Sequence, residues 1–327
     1  MTTRVRVFAP ATVSNLGPGF DVLGLALQQP GDLVEAELHD EPGVQIVTVT
    51  GAGDALTTDP TRNVVGIAAS DVLRRLQDKV QGPAASGQNQ EPRTGVGVRL
   101  WLHKQMPLAS GLGSSAASSV AGALAVNELF GGGLSRRELV ASALEGERAA
   151  SGAPHADNVA PSLLGGIVLI RSYDPLELVS LPIPPELRVV VVHPHCEVAT
   201  ASARALVSER RYELGDVVAN LGNVGALISA LHQNDLELFG RSIRDRLVEP
   251  VRAGLIPGFQ QVKDAALAAG ALGCSISGSG PSVFAISGSE RGASRVAAEM
   301  RDAFRAAADL ESDVYVGPVN ARGATTL

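Results

Sequence analysis

One stretch constrains this chain more than any other: Pro107-Leu108-Ala109-Ser110-Gly111-Leu112-Gly113-Ser114-Ser115-Ala116-Ala117. It follows an alternating segment, Val96 to Leu102, that reads as a strand with one buried face. It opens a small-residue helix from Ser114 to about Phe130, stopped by Gly131-Gly132-Gly133. A strand therefore passes into a helix through a turn with almost no side-chain bulk. The first N–H groups of a helix lack intrahelical acceptors and carry partial positive charge, and small side chains let them face outward. Such a turn suits a phosphate, with the Ser114 and Ser115 hydroxyls adding donors. The plain alternative is an ordinary tight turn with a serine cap.

Two phosphate-binding patterns fail here. The Walker A pattern ends in Gly-Lys-Ser/Thr, and the chain contains no Gly-Lys dipeptide. Gly111-x-Gly113-x-x-Ala116 fits a relaxed dinucleotide fingerprint, but that reading needs a strand with an acidic end about 20 residues on. Glycines and another helix occupy that place.

At 327 residues, the chain is about twice the ~150 residues of a typical domain. A net charge of -7 and 3% aromatic residues offer neither the basic footprint nor the stacking platforms of a nucleic-acid binder. No run of eighteen apolar residues and no basic-then-apolar leader is seen, so no membrane association or secretion is expected. Cys196 and Cys274 form no CxxC pair, which fits a reducing, cytoplasmic setting.

Helical periodicity covers Val64 to Val80, Ser135 to Gly152, Thr200 to Ser208, Leu214 to His232, Leu236 to Asp245, Phe259 to Ala269 and Gly292 to Ala307. Strands are expected at Arg4 to Ala9, Gly165 to Ile170, Leu187 to Val192, Ser282 to Ile286 and Asp313 to Val316, and a solvated loop from Gln81 to Gly95. Helices and strands mix without strict alternation, so the class is α+β. The Pro-rich Ile183-Pro184-Pro185 suggests a hinge, with units over 1–175 and 176–327.

Two more motifs accompany the loop: Pro10 to Asp21 near the start and Ser277-Gly278-Ser279-Gly280-Pro281-Ser282 near the end. Together the three resemble the GHMP superfamily of small-molecule kinases, named for galactokinase, homoserine kinase, mevalonate kinase and phosphomevalonate kinase. The homoserine kinase branch is the most similar. Its likeness is carried by Ala9 to Asp21, His155-x-Asp157-Asn158-Val159-Ala160-Pro161, Thr200-Ala201-Ser202-Ala203-Arg204 and Glu249-Pro250-Val251-Arg252. The resemblance implies an N-terminal domain of the ribosomal-S5 domain-2 type with a left-handed crossover, and a ferredoxin-like C-terminal domain. It also implies ATP with Mg2+, L-homoserine as acceptor, a place in threonine biosynthesis and, as is common among relatives, a homodimer.

By the same resemblance residues 107–117 bind the nucleotide, and Ser115 and Glu147 contact the metal. One hydroxyl and one carboxylate suit a hard cation that keeps most of its waters; a solvated helix charge is the alternative for Glu147, beside Glu145 and Arg148. Lys104, one of three lysines, precedes the loop where a cation could reach a phosphate, or is a strand-end surface lysine. Asn63 matches an adenine-contacting position, and Asn before a helix is also a common cap.

Homoserine is a zwitterion with a free hydroxyl, so its site needs cations, an anion and a group to hold the hydroxyl. Arg204 and Arg252 can each bind a carboxylate through paired N–H groups, with Thr200 one helical turn before Arg204. Asn15, Asp21, Asp157 and Asn158 supply the other contacts by resemblance. A lone arginine is usually a surface charge, and Asn15 could serve only its turn. Asp21 with two arginines favours an amino acid over mevalonate or galactose. The expected chemistry is in-line transfer of the γ-phosphoryl group, with Asn158 positioning the hydroxyl; base catalysis by the adjacent Asp157 is the alternative. His193-Pro194-His195-Cys196 imitates a metal cluster but lacks a second ligand pair and is expected to be structural. Another acceptor alcohol, or a nucleotide-binding regulator without turnover, are the competing readings.

Overall fold

The computed structural model describes residues 4–81 and 96–327. Two sheets carry the chain. The first contains β1 (Arg4–Ser14), β2 (Leu23–His39), β3 (Val44–Thr50), β4 (Gly97–His103), β5 (Ile167–Tyr173), β6 (Leu176–Leu181) and β11 (Thr325–Thr326). Its order is β11-β1-β2-β4-β3, with the β5–β6 hairpin attached to the start of β2. β2 is long enough to serve two partners: residues 33–39 pair with β4 and residues 23–25 with β5. β3 and β4 are parallel, joined through α1 (Val64–Gln81).

On this sheet lies α2 (Ser114–Leu129), flanked by α1 and by α3 (Arg136–Ser151), with α4 (Ala156–Leu164) against β1 and β2. Every residue of α2 except Ser115 and Glu128 is buried. Its Ala, Ser and Gly content is what lets helices close in on every side, because bulkier side chains would hold them apart. A Cβ on Gly122 would come within 2.9 Å of Val65, and one on Gly146 of α3 within 2.6 Å of Val64 O. A Ser135–Glu138 capping box starts α3, and Gly152 in the left-handed region ends it.

The second sheet has the order β10-β7-β9-β8, all antiparallel, from β7 (Arg188–Pro194), β8 (Gly273–Ile276), β9 (Val283–Ser287) and β10 (Ser312–Pro318). In chain order that is 4-1-3-2, the ferredoxin-like arrangement. α10 (Glu290–Ala308) covers β7, β9 and β10, with α9 (Phe259–Ala268) beside it. The β7–β8 connection also carries α5 (Thr200–Ser208), α6 (Leu214–Gln233), α7 (Leu236–Ser242) and α8 (Glu249–Arg252).

The α+β class holds, but pairing moves the junction from 175 to beyond Leu181. Residues 176–181 form the second arm of a hairpin in the first sheet, and the Pro-rich Ile183-Pro184-Pro185 read as the hinge follows that arm. The tail also returns, with β11 pairing β1, and a continuous core runs from β1 and α2 through Val189, Leu227 and Phe284. The expected loop at 82–95 lies outside the described residues. α6 is long and apolar enough by length and composition to cross a membrane, and 22% of its apolar 18-residue window is buried inside the protein.

Candidate active site

The three sequence motifs meet in a cavity of about 420 Å³ between the two sheets. Its floor is the 107–113 turn. The carbonyls of four successive turn residues are tied to surrounding elements: Ala109 O to Val198 N, Ser110 O to Ser282 N, Gly111 O to the Ser277 hydroxyl and Leu112 O to Thr12 N. With its acceptors held outward, the turn presents Gly113, Ser114 and Ser115, at the start of α2, to the cavity.

Two glycines are needed here. Gly113 has φ +68°, and a Cβ there would overlap the Thr12 hydroxyl; Gly111 has φ +75°, and a Cβ would overlap Ser277 O of the third motif. Glycine thus provides both the left-handed backbone and the space for the other two motifs. Leu108, Ala109 and Ser110 also line the cavity, whereas Leu112, Ala116 and Ala117 are buried beneath it. Pro107 enters the turn from β4.

Lys104 does not offer a free cation. Its side chain is 1% exposed, and its ammonium donates to Asp32, to Ser114 O and Oγ at 3.1 and 2.6 Å, and to Ser118 Oγ at 3.0 Å. Burial pushes its pKa down, and the Asp32 charge works against that. Lys104 therefore fixes the first turn of α2 from below. Asn63 is likewise a cap: it donates to Thr57 O at 2.7 Å and accepts from Val65 N at 3.1 Å, while Leu56 and Val64 line the cavity nearby.

Ser115 and Glu147 do meet. The Ser115 hydroxyl donates to Glu147 Oε2 at 2.6 Å, and the carboxylate is 4% exposed. Glu147 Oε1 lies 2.8 Å from His155 Nδ1, and His155 Nε2 lies 2.8 Å from Arg204 Nη2. Arginine can only donate, so this contact places the imidazole proton on Nδ1, where it bonds Glu147. Hydroxyl and carboxylate oxygens at the mouth of a phosphate turn fit a small hard cation.

The acceptor half is built from both units. Asn15 and Asp21, in the loop after β1, adopt φ of 70° and 57°. Asn15 bridges the motifs, donating to Gly278 O at 3.2 Å and accepting from Asp21 N at 3.1 Å. Arg204 Nη2 donates to both Asp21 oxygens at 3.0 Å. Arg252, 3% exposed, donates to Gly278 O at 2.7 Å, and burial lowers its pKa. Thr200 lies 3.4 Å from the Ser279 hydroxyl at the rim.

Phe20 lies 5.4 Å from the Arg204 guanidinium and 5.1 Å from that of Arg252, holding both by cation–π contact. The sequence motifs contain Phe20, Thr12 and His155, but only His155, weighed between shaping the site and capping a helix, carries an expected role there; for Phe20 the signal is an aromatic between Gly19 and Asp21 in so aromatic-poor a chain.

Asp157 and Asn158 begin α4 and differ sharply. Asn158 Oδ1 accepts from the Thr12 hydroxyl at 2.7 Å, leaving its amide NH2 for the cavity. Asp157 is 1% exposed, and its Oδ1 has no partner. Burial, aided by the Asp21 and Glu147 charges, raises its pKa to about 7. Gly24 of β2 packs on the Asp157 carbonyl so closely that a Cβ would overlap it, which sets the depth of this turn. His193 bonds Ser282 at 3.1 Å, and burial lowers its pKa to about 4; it lies behind the third motif, away from the cavity lining.

Models of the GHMP kinases N terminal domain and GHMP kinases C terminal families match residues 68–166 and 227–306. The chain is 46% identical over 325 residues to the homoserine kinase of Chlorobium phaeobacteroides strain BS1, covering 98% of each protein. It is 45% identical over 288 residues to that of Methanopyrus kandleri, covering 88% of this chain and 87% of the relative. The crystal structure of homoserine kinase from Cytophaga hutchinsonii superposes with a TM-score of 0.91 at 48% identity, covering 100% of this chain and 98% of that one. Mevalonate kinase from L. major, in complex with R-mevalonate, shares the fold at a TM-score of 0.70 and 18% identity, covering 97% of each chain.

Proposed function

Since the chain belongs to the GHMP kinase family, we infer that its cavity transfers the γ-phosphoryl group of ATP to the side-chain hydroxyl of L-homoserine, giving O-phospho-L-homoserine for threonine biosynthesis. One observation carries the reading: Asp21, Arg204 and Arg252, the charge set a zwitterion requires, share a cavity with the phosphate turn. The turn and the first N–H groups of α2 hold the nucleotide phosphates. Ser115 and Glu147 would hold Mg2+, which when bound neutralises phosphate charge during transfer.

Arg204 and Arg252 take the acceptor carboxylate, and Asp21 with Asn15 takes the ammonium. Thr200 closes the rim, and the Asn158 amide, fixed through Thr12, orients the hydroxyl toward the γ-phosphorus. Catalysis here is positioning and charge stabilisation. The enzyme works in the cytoplasm, where its two free cysteines stay reduced, and as a homodimer.

The test is ADP release from Mg-ATP with L-homoserine against D-homoserine, L-serine, L-threonine, mevalonate and galactose. Selective turnover of L-homoserine supports the assignment. Preference for mevalonate or galactose would leave the nucleotide half standing and overturn the roles given to Asp21 and the arginines.

A further inference from the structure

α6 shows its apolar side to solvent. It is anchored by a narrow buried edge of Asn220, Leu227, Ala230 and Leu231. Leu214, Val218 and Leu221 stand outward at 76%, 60% and 66% exposure. Further along the same stripe come Gly222, Gly225 and Ser229, all exposed. A solvated helix face normally carries charge, yet the titratable residues of α6 are Asp216, off the stripe, and His232 at its far end. Exposed glycine weakens a helix relative to alanine, and a Cβ on Gly222 or Gly225 would meet nothing within 4 Å among the described residues. Among the described residues, nothing accounts for either the bulky half or the small half of this stripe.

We propose that the stripe is the centre of the homodimer interface, with α6 of a second copy packed antiparallel across a two-fold axis between Leu221 and Gly222. This rests on the homodimer reading above and names its surface. A two-fold contact must be complementary to itself, and this one is. Counting outward from the axis, Leu221 faces Gly222, Val218 faces Gly225 and Leu214 faces Ser229, so each large side chain meets a small one. The glycines let the two backbones approach, and antiparallel alignment opposes the helix dipoles favourably.

A bilayer is the poorer occupant, because Glu209, Glu213 and Asp216 outnumber Arg210 and Arg211 at the start of the helix, leaving no basic excess to hold an anionic surface. An unrelated protein would have no reason to require large and small residues equidistant from one point. The 20-residue helix is roughly 30 Å long and ~10 Å wide, a footprint of about 300 Å². A standard interface takes about 800 Å² per partner. The stripe is thus the apolar centre of a larger contact, and dissociation in the micromolar range is expected.

Sedimentation velocity of the full chain over about 1 to 200 µM tests this, together with Leu221→Glu, Leu221→Lys and their equimolar mixture. The wild type should dimerise. Each variant alone should stay monomeric, because like charges meet at the axis, and the mixture should recover dimer. Unchanged far-UV circular dichroism and kcat in the variants establish that they fold. A wild type that stays monomeric throughout, or that is monomeric and binds phosphatidylserine vesicles, overturns the homodimer reading itself. A dimer that survives in both variants overturns only the assignment to α6. Dimeric wild type with monomeric variants whose mixture fails to pair would also overturn the two-fold geometry.

Discussion

Without acceptor, Arg204 and Asp21 satisfy each other, with both carboxylate oxygens 3.0 Å from Nη2. A zwitterion binding between them must open that pair, its carboxylate replacing Asp21 at Arg204 and its ammonium replacing Arg204 at Asp21. The pair is partly solvated, the side chains being 28% and 30% exposed, so opening it costs only about 1 kcal/mol. A charge-assisted bond from either residue to the acceptor gains roughly 1.5–3 kcal/mol. Arg204→Gln or Asp21→Asn each loses one such bond but no longer has a pair to open. Either single variant should therefore weaken L-homoserine binding by about 3- to 30-fold. The double variant loses both bonds and avoids the opening cost only once. It should be weaker than the product of the single effects by about fivefold, a coupling of ~1 kcal/mol. Calorimetric titration of L-homoserine into protein saturated with a non-hydrolysable ATP analogue measures this directly, and the nucleotide affinity should stay within about twofold. Additive effects, or equal losses for nucleotide and acceptor, would refute the exchange.

Asp157 sits at a pKa of about 7 against an ordinary carboxyl near 3.8. The folded state thus holds a proton that the unfolded chain has released between those values, and stability declines as pH rises through that window. Asp157→Asn should raise the thermal midpoint of metal-free protein at pH 8, by the equivalent of roughly 1–3 kcal/mol, and change it little at pH 4; an equal shift at both is the contrary result. For the reaction itself, Asn158→Ala should lower kcat by about 10- to 100-fold through lost orientation. If it leaves kcat intact while Asp157→Asn abolishes turnover, Asp157 is the base. Lys104→Met strands the fully buried Asp32 and should destabilise the protein by about 3–5 kcal/mol in denaturant titration. Adding Asp32→Asn should recover most of that loss; no recovery would show that Lys104 does more than balance Asp32.

The local signals in the sequence reached the helices and motifs but stopped where structure depends on distant pairing. The Thr200–Ser208 helix lies where periodicity places it, because its pattern is local. β2 is hidden: no strand is expected between Ala9 and Val96, yet the chain runs from Leu23 to His39 as one strand, paired with β1 on one side and with β5 and then β4 on the other. α4 is hidden by Pro161 in its interior, where the missing N–H removes the helical bond to the Asp157 carbonyl and so argues locally against a helix. In the site, residue types pointed to side chains that do share one cavity, as for Asp21, Arg204 and Arg252. They misled where the partner was another buried side chain. Lys104 looks like a phosphate ligand until Asp32, 72 residues earlier, appears beside it.

His155 shows how the two halves of the cavity are joined. One nitrogen meets Glu147, which holds the Ser115 hydroxyl, and the other meets Arg204, which holds Asp21. Because the ring can donate from one side and accept on the other only as the Nδ1–H tautomer, neither contact is independent of the other. Drawing Arg204 toward an acceptor carboxylate removes the donor at Nε2, and any change in the ring's position is passed directly to Glu147. A chain of five side chains, contributed by α2, α3, the N-cap of α4, α5 and the loop after β1, thereby spans the cavity from Ser115 at the phosphate turn to Asp21. The motifs are separated in sequence because each must come from a different element, and the cavity exists only where those elements converge.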